Sequence, residues 1–271
     1  MLQTSLIYLL IAIGIVYLGL NGYAAIFAHK QIFPHVEPSY TKDSSIIELD
    51  SEDGEQIAAY YLKATPLQGK KRLLIYCHGN GEDIGHCREW LGHFQKLGIS
   101  ALAYDYPGYG ISSGKATEDG CNAATKAAYR YATKELGYAP GEIILYGRSL
   151  GGGPACWLAE QHTVGCLILD GTFTSTFRVV TKRKLLPWDH FDNYARLPHI
   201  ETPILVVHGT KDLTVPFSHA RRNYEVIQSP KAKLWVEGAG HSDLISTAGE
   251  VYWETLLGFI DTHIQPQSKP Q

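Results

Sequence analysis

IILYGRSLGGGPA, residues Ile143 to Ala155, decides how the rest of the chain is read. An apolar run suited to a buried strand stops at Gly147. Gly-x-Ser-x-Gly follows, with Ser149 held between Gly147 and Gly151 and two further glycines behind it. A helical pattern then continues to Gln161. Glycines two positions either side of a serine let a strand and a helix approach closely while the serine takes a strained backbone conformation. The helix that starts there aims free N–H groups and its positive end at negative charge developing beside the hydroxyl. A glycine-rich turn alone would give the same letters. The strand before it and the helix after it make Ser149 a candidate nucleophile.

Outward from this point the chain alternates. Apolar runs at 72–77, 99–105, 142–147, 164–170, 203–209 and 232–238 read as buried strands. Helical patterns at 117–136, 149–161, 218–227 and 244–264 lie between or after them. Near-continuous apolar strands separated by helices predict an α/β fold, a mostly parallel sheet with helices on both faces. Before it, SSIIELDSEDGEQIAAYYL reads as two strands around the Asp53-Gly54 turn, an antiparallel edge that brings the expected sheet to eight strands.

In such sheets the ligand sits beyond the carboxyl ends of the strands, so the residues that follow each apolar run carry the function. A serine hydroxyl needs a base, and the base needs an acid to orient it. VVHGTKDLTVP places Asp212 after one strand and VEGAGHSDL places His241 after the next. The order Ser149, Asp212, His241, each from a strand end, fits a nucleophile–acid–base set. Asp170 also ends a strand and is the rival acid; Asp212 is preferred because its turn lies beside the His241 loop. Asp105 is expected to fix a loop through backbone hydrogen bonds, and Asp243 to cap the last helix rather than assist His241. His86, His93, His162 and His219 read as surface residues. Two backbone N–H groups are candidates for holding an oxyanion, those of Leu150 after the nucleophile and Asn80 in CHGNGEDIG.

The N-terminus departs from the globular pattern. Leu6 to Ala28 carries no charged residue, and roughly 20 apolar residues cross a bilayer. No lysine or arginine precedes it and its cleavage site is loose, so an uncleaved anchor over residues 1–29 is favoured over a signal peptide. Lys30 and Lys42 follow the span, which leans towards a cytosolic catalytic domain. Residues 30–45 read as a linker, 46–264 as the catalytic domain and 265–271 as a disordered tail. With 24 Lys and Arg against 27 Asp and Glu, the chain has no charge reason to bind nucleic acid. Its five cysteines lack metal spacing and do not form a disulfide framework; Cys77, Cys156 and Cys166 read as core residues.

HGNGEDIG, DYPGYGISSG, GRSLGGGPA, DGTFTS, HGTKDLTVP and GAGHSD together resemble the α/β-hydrolase superfamily. They are most similar to its membrane-anchored group, which includes eukaryotic α/β-hydrolase-domain proteins and bacterial relatives of serine aminopeptidases. The likeness runs from about Ile46 to Ile264. It implies an α/β-hydrolase fold and hydrolysis of esters, thioesters or occasionally amides, and some eukaryotic relatives remove palmitate from proteins. By fold analogy, residues of about 172–200 form a short lid over Ser149. Phe173 and Trp188 are the candidate substrate contacts. Basic residues beside apolar ones in RVVTKRKLLPWDHF suit anionic headgroups and an acyl chain, or equally a solvated helix face. The expected reaction is acyl transfer to water on an acyl-ester or acyl-thioester substrate, lipid-like in one reading, without metal or organic cofactor. A serine peptidase is the alternative within the enzyme class, and a silent membrane-tethered binding protein the alternative outside it.

Overall fold

The computed structural model describes residues 2–264, so the expected tail at 265–271 lies outside the described residues. A long helix, α1 (Leu2–Ile32), comes first. The strands β1 (Ile46–Asp50) and β2 (Gln56–Leu62) form the expected hairpin, paired antiparallel. The buried runs become β3 (Leu73–Cys77), β4 (Ser100–Tyr104), β5 (Ile143–Arg148), β6 (Cys166–Asp170), β7 (Ile204–Gly209) and β8 (Lys231–Val236). The eight strands lie in the order β1-β2-β4-β3-β5-β6-β7-β8. Only β1 with β2 and β2 with β4 are antiparallel; the pairs from β4 through to β8 are parallel.

Successive strand side chains point to opposite faces, and the sheet divides two cores on that basis. Leu73, Ile75 and Cys77 face one side with Leu145, Leu167 and Leu169. Leu74 and Tyr76 face the other with Ile144, Tyr146 and Ile168. Helix α2 (Ile84–Lys96) covers the second face with Ile84, Cys87, Leu91 and Phe94. Glycines and histidines dilute its apolar stripe and hide it in the sequence; Asp83 starts it by accepting the His86 N–H at 3.2 Å. Helices α3 (Glu118–Lys134) and α4 (Gly152–Gln161) cover the first face. All five cysteines are free and buried.

After β6 the chain crosses the sheet end through α5 (Thr176–Thr181), an irregular stretch and α6 (Asn193–Arg196), the segment expected as a lid. Helix α7 (Ser218–Val226) follows β7. The single helix expected over 244–264 is two, α8 (Leu244–Ala248) and α9 (Glu250–His263). Gly249 between them has φ 56°, a left-handed conformation that a continuing helix does not allow.

Within α1, Gln3–Ala24 is long and apolar enough to cross a membrane, and its most apolar stretch is not buried against the domain. The helix does not stop there. It runs past residue 29 to Ile32, and its last turns pack on the domain. Ile32 and Phe33 are buried, His29 Nε2 lies 2.7 Å from the Ala116 carbonyl, and the Phe33 ring meets Phe191 edge-on.

Candidate active site

Ser149 follows β5 directly and has φ 50°, a conformation that non-glycine residues rarely take. Its glycines are there for space. A Cβ on Gly147 would stand 2.6 Å from Gly152 Cα, and one on Gly151 would stand 2.0 Å from the Cys77 carbonyl oxygen. The loop after β3 crosses just in front: a Cβ on Gly79 would lie 3.7 Å from Ser149 Cβ.

The turns after β7 and β8 bring Asp212 and His241 to this serine. His241 Nδ1 lies 2.7 Å from Asp212 Oδ2, so that ring nitrogen carries the proton and donates it. Nε2 is left as an acceptor, and the Ser149 hydroxyl donates to it at 3.0 Å. Asp212 Oδ1 accepts the Thr214 and Val215 N–H groups, each at 2.8 Å. Burial by itself would raise the Asp212 pKa. The hydrogen bond and charge of His241, the Val215 N–H and the charge of His208 outweigh it and hold the carboxylate below its ordinary value. Gly171 leaves room for the ring, since a Cβ there would come within 3.2 Å of His241 Cε1.

Asp170, the rival acid, is turned away from His241. Its Oδ2 accepts the hydroxyls of Tyr146 and, at 3.1 Å, Tyr252. Asp105 fixes a loop as expected, accepting the Ile84 N–H at 2.8 Å. Asp243 corrects its reading: it stands before α8, but its side chain makes no cap bond and accepts the Gly240 N–H at 2.6 Å, bracing the turn that carries His241.

Asn80 and Leu150 face the same space as Ser149. The Asn80 N–H donates to no other backbone group among the described residues. The Leu150 N–H opens a helical turn, where no carbonyl of the helix lies behind it. Supports for this loop went unread in the sequence. The hydroxyls of Tyr106 and Tyr109, in DYPGYG, donate to the carbonyls of His78 and Asn80 at 2.9 and 3.1 Å. Arg148 Nε meets Glu82 Oε1 at 3.1 Å, tying the nucleophile turn to the same loop.

A cavity of about 520 Å³ opens over Ser149. Its walls are mostly apolar, built from the segment expected as a lid (Phe177, Val179, Leu185), from Phe173 and from α1 (Leu20, Ala28), with Gln31, Asn80 and Thr214 among them, and no charged side chain lines it among the described residues. Phe173, expected as a substrate contact, lines this cavity. Trp188 does not line the cavity; it packs on Phe177 and its Nε1 donates to Asn21 Oδ1 at 3.3 Å, linking the lid to α1. No group of three or more His, Cys, Asp or Glu among the described residues is placed to hold a metal.

His219 is also corrected, because it is buried rather than on the surface. Its Nδ1 accepts from the Thr174 N–H and hydroxyl at 3.2 and 2.9 Å, next to Phe173, whose carbonyl accepts from Asn193 and Asn223. Burial, then the charge of Arg222, lowers its pKa from 6.5 to about 4. Below pH 6.5 the unfolded chain takes up a proton that the folded one refuses. Stability from this group therefore falls between pH 6.5 and 4, by on the order of 3 kcal/mol. Asp105 has the opposite sign, since burial raises its pKa to about 6 and the fold gains as it protonates. The thermal midpoint of His219→Gln relative to the native protein isolates the histidine. The gap should narrow by several degrees from pH 7.5 to 4.5, and a constant gap would refute the assignment.

The chain is 35% identical over 214 residues to α/β-hydrolase domain-containing protein 17B of Homo sapiens, covering 78% of this chain and 73% of that protein. The chain belongs to the α/β-hydrolase family. The α/β-hydrolase fold family itself matches residues 72–183, and α/β-hydrolase domain-containing protein 17C of Xenopus laevis is 34% identical over 80% of this hydrolase and 70% of its own length. Among solved structures, an esterase from Pyrococcus furiosus superposes with a TM-score of 0.69 at 17% identity, covering 86% of this hydrolase and 97% of the esterase. The hydrolase GrgF from Penicillium sp. sh18 gives 0.69 at 18% identity, over 81% and 98%. At that identity the likeness is one of fold.

Proposed function

We propose that the protein is a membrane-anchored serine hydrolase that cleaves acyl esters or thioesters through an acyl-enzyme. The observation that carries this reading is the relay of Ser149, His241 and Asp212, joined at 3.0 and 2.7 Å with the serine in a strained turn under an apolar cavity. Ser149 Oγ attacks the acyl carbonyl as its proton passes to His241 Nε2. Asp212 keeps the ring oriented and stabilises its charged form. The Asn80 and Leu150 N–H groups receive the oxyanion. His241 then protonates the leaving alkoxide or thiolate, and water repeats the sequence to release the acid. The uncharged cavity wall favours an acyl chain over a peptide, whose charged amino terminus it would leave unpaired.

The anchor reading rests on continuity. Leu20 and Tyr23 line the cavity and a cleaved leader would carry them off, which supports retention of α1; Lys30 and Lys42 after the span support a catalytic domain on the cytosolic side. The test is a fluorophosphonate probe applied to the full chain in detergent, with the labelled peptide mapped by mass. The adduct should fall on Ser149, and p-nitrophenyl esters should turn over. A folded protein that neither labels nor turns over an ester would sink the reading.

A further inference from the structure

Helix α1 belongs to two places at once. Its Gln3–Ala24 segment is the candidate membrane span, and its last turn touches the nucleophile's surroundings, where Asn80 Nδ2 donates to the Ile32 carbonyl at 3.0 Å. The cavity over Ser149 joins the two. Leu20, Tyr23, Ala24, Ala28, Gln31 and Ile32 line it, and this spacing is one face of a continuous helix. At about 1.5 Å per residue the stripe runs about 18 Å, from inside the span to the loop that carries Asn80. The facing wall is the lid, through Val179, Val180, Leu185 and Leu186.

The lid's outer edge has the composition of a membrane surface. Val180 and Leu185 are 77% and 54% exposed, large values for apolar side chains, and Lys182, Arg183 and Lys184 are exposed between them. Apolar residues interleaved with cations insert at an anionic headgroup layer. A free aqueous substrate would have no use for a wall that starts in the bilayer.

We infer that the hydrolase takes its substrate from the bilayer itself. The substrate is a long-chain ester of a membrane lipid, whose acyl chain slides along the α1 stripe beneath the lid until its carbonyl reaches Ser149. Lys182, Arg183 and Lys184 hold the lid edge on anionic headgroups beside the entry. This inference rests on the serine-hydrolase reading above and adds the substrate's class and its route.

The experiment uses the full chain reconstituted in vesicles of phosphatidylcholine with or without phosphatidylglycerol. Turnover of a long-chain fluorogenic glycerolipid ester and of water-soluble p-nitrophenyl butyrate is expressed per serine labelled by fluorophosphonate. Ala24→Trp and Ala28→Trp, separately, put bulk on the stripe. Each should lower the ratio of long-chain to short-chain turnover by about tenfold. Phosphatidylglycerol should raise long-chain turnover several-fold, and the variant with Lys182→Gln, Arg183→Gln and Lys184→Gln should lose that gain. An unchanged ratio in both tryptophan variants, read per labelled serine, overturns the bilayer route and leaves the hydrolase standing. Absent labelling in the native protein overturns the hydrolase reading beneath it.

Discussion

Asp212→Asn should lower kcat by about 10⁴-fold, because the amide no longer holds the His241 tautomer that leaves Nε2 free to accept the serine proton. Ser149→Ala and His241→Ala should each cost more, up to about a million-fold, and their double variant should fall little further since the two act as a unit. The control is Asp170. It ends the neighbouring strand but accepts from Tyr146 and Tyr252, so Asp170→Asn should lower the thermal midpoint while leaving kcat per labelled serine within about tenfold. Steady-state hydrolysis of a p-nitrophenyl ester, normalised to active sites, measures all of them. Loss of catalysis in Asp170→Asn with near-native rates in Asp212→Asn would reverse the assignment of the acid.

Gly151→Ala should cost about 3 kcal/mol or more in stability, a fall in thermal midpoint of roughly 6–12 °C. Its new methyl group would stand 2.0 Å from the Cys77 carbonyl oxygen and 2.8 Å from that of His78. Both are main-chain atoms at the end of β3, a central strand, and neither can swing aside like the tip of a side chain. The strand end and the helical turn must part, and Ser149 moves with them. Gly258→Ala is the contrast. It lies in α9 with nothing within 4 Å of the added carbon, and should be neutral or stabilising by up to about 1 kcal/mol. Calorimetry of the two variants against the native protein decides the point; equal midpoints would mean that the turn is not tightly packed.

The sheet was legible because a parallel strand buried on both faces is written as an unbroken apolar run, as in LLIYC of β3 and CLILD of β6. The relay was legible for a related reason: Ser149, Asp212 and His241 each sit just past such a run, where an open sheet gathers its functional side chains. What stayed hidden depended on which way a side chain turns once distant segments meet. His219 lies on a short helix with Ser218, Arg221 and Arg222, and only the arrival of Thr174 from another loop makes it an interior acceptor. Asp243 has the sequence position of a cap yet bonds backwards to Gly240. Trp188 is aromatic and within the segment expected as a lid, but its partner Asn21 is 167 residues earlier, and no local pattern joins them. The same distance concealed α1 as a cavity wall.

The order in which the relay residues are made has a consequence for biogenesis. Ser149 and its base are 92 residues apart, and His241 comes from the turn after the last strand. At about 5–20 residues per second, a ribosome finishes the serine some 5–20 s before the histidine. Throughout that interval α1 is already available to a membrane, yet the hydroxyl has no acceptor for its proton. Chains interrupted before β8 and its following turn thus lack His241, the proposed base. Under the proposed mechanism, hydrolytic competence therefore waits for the turn after β8, the strand that completes the sheet.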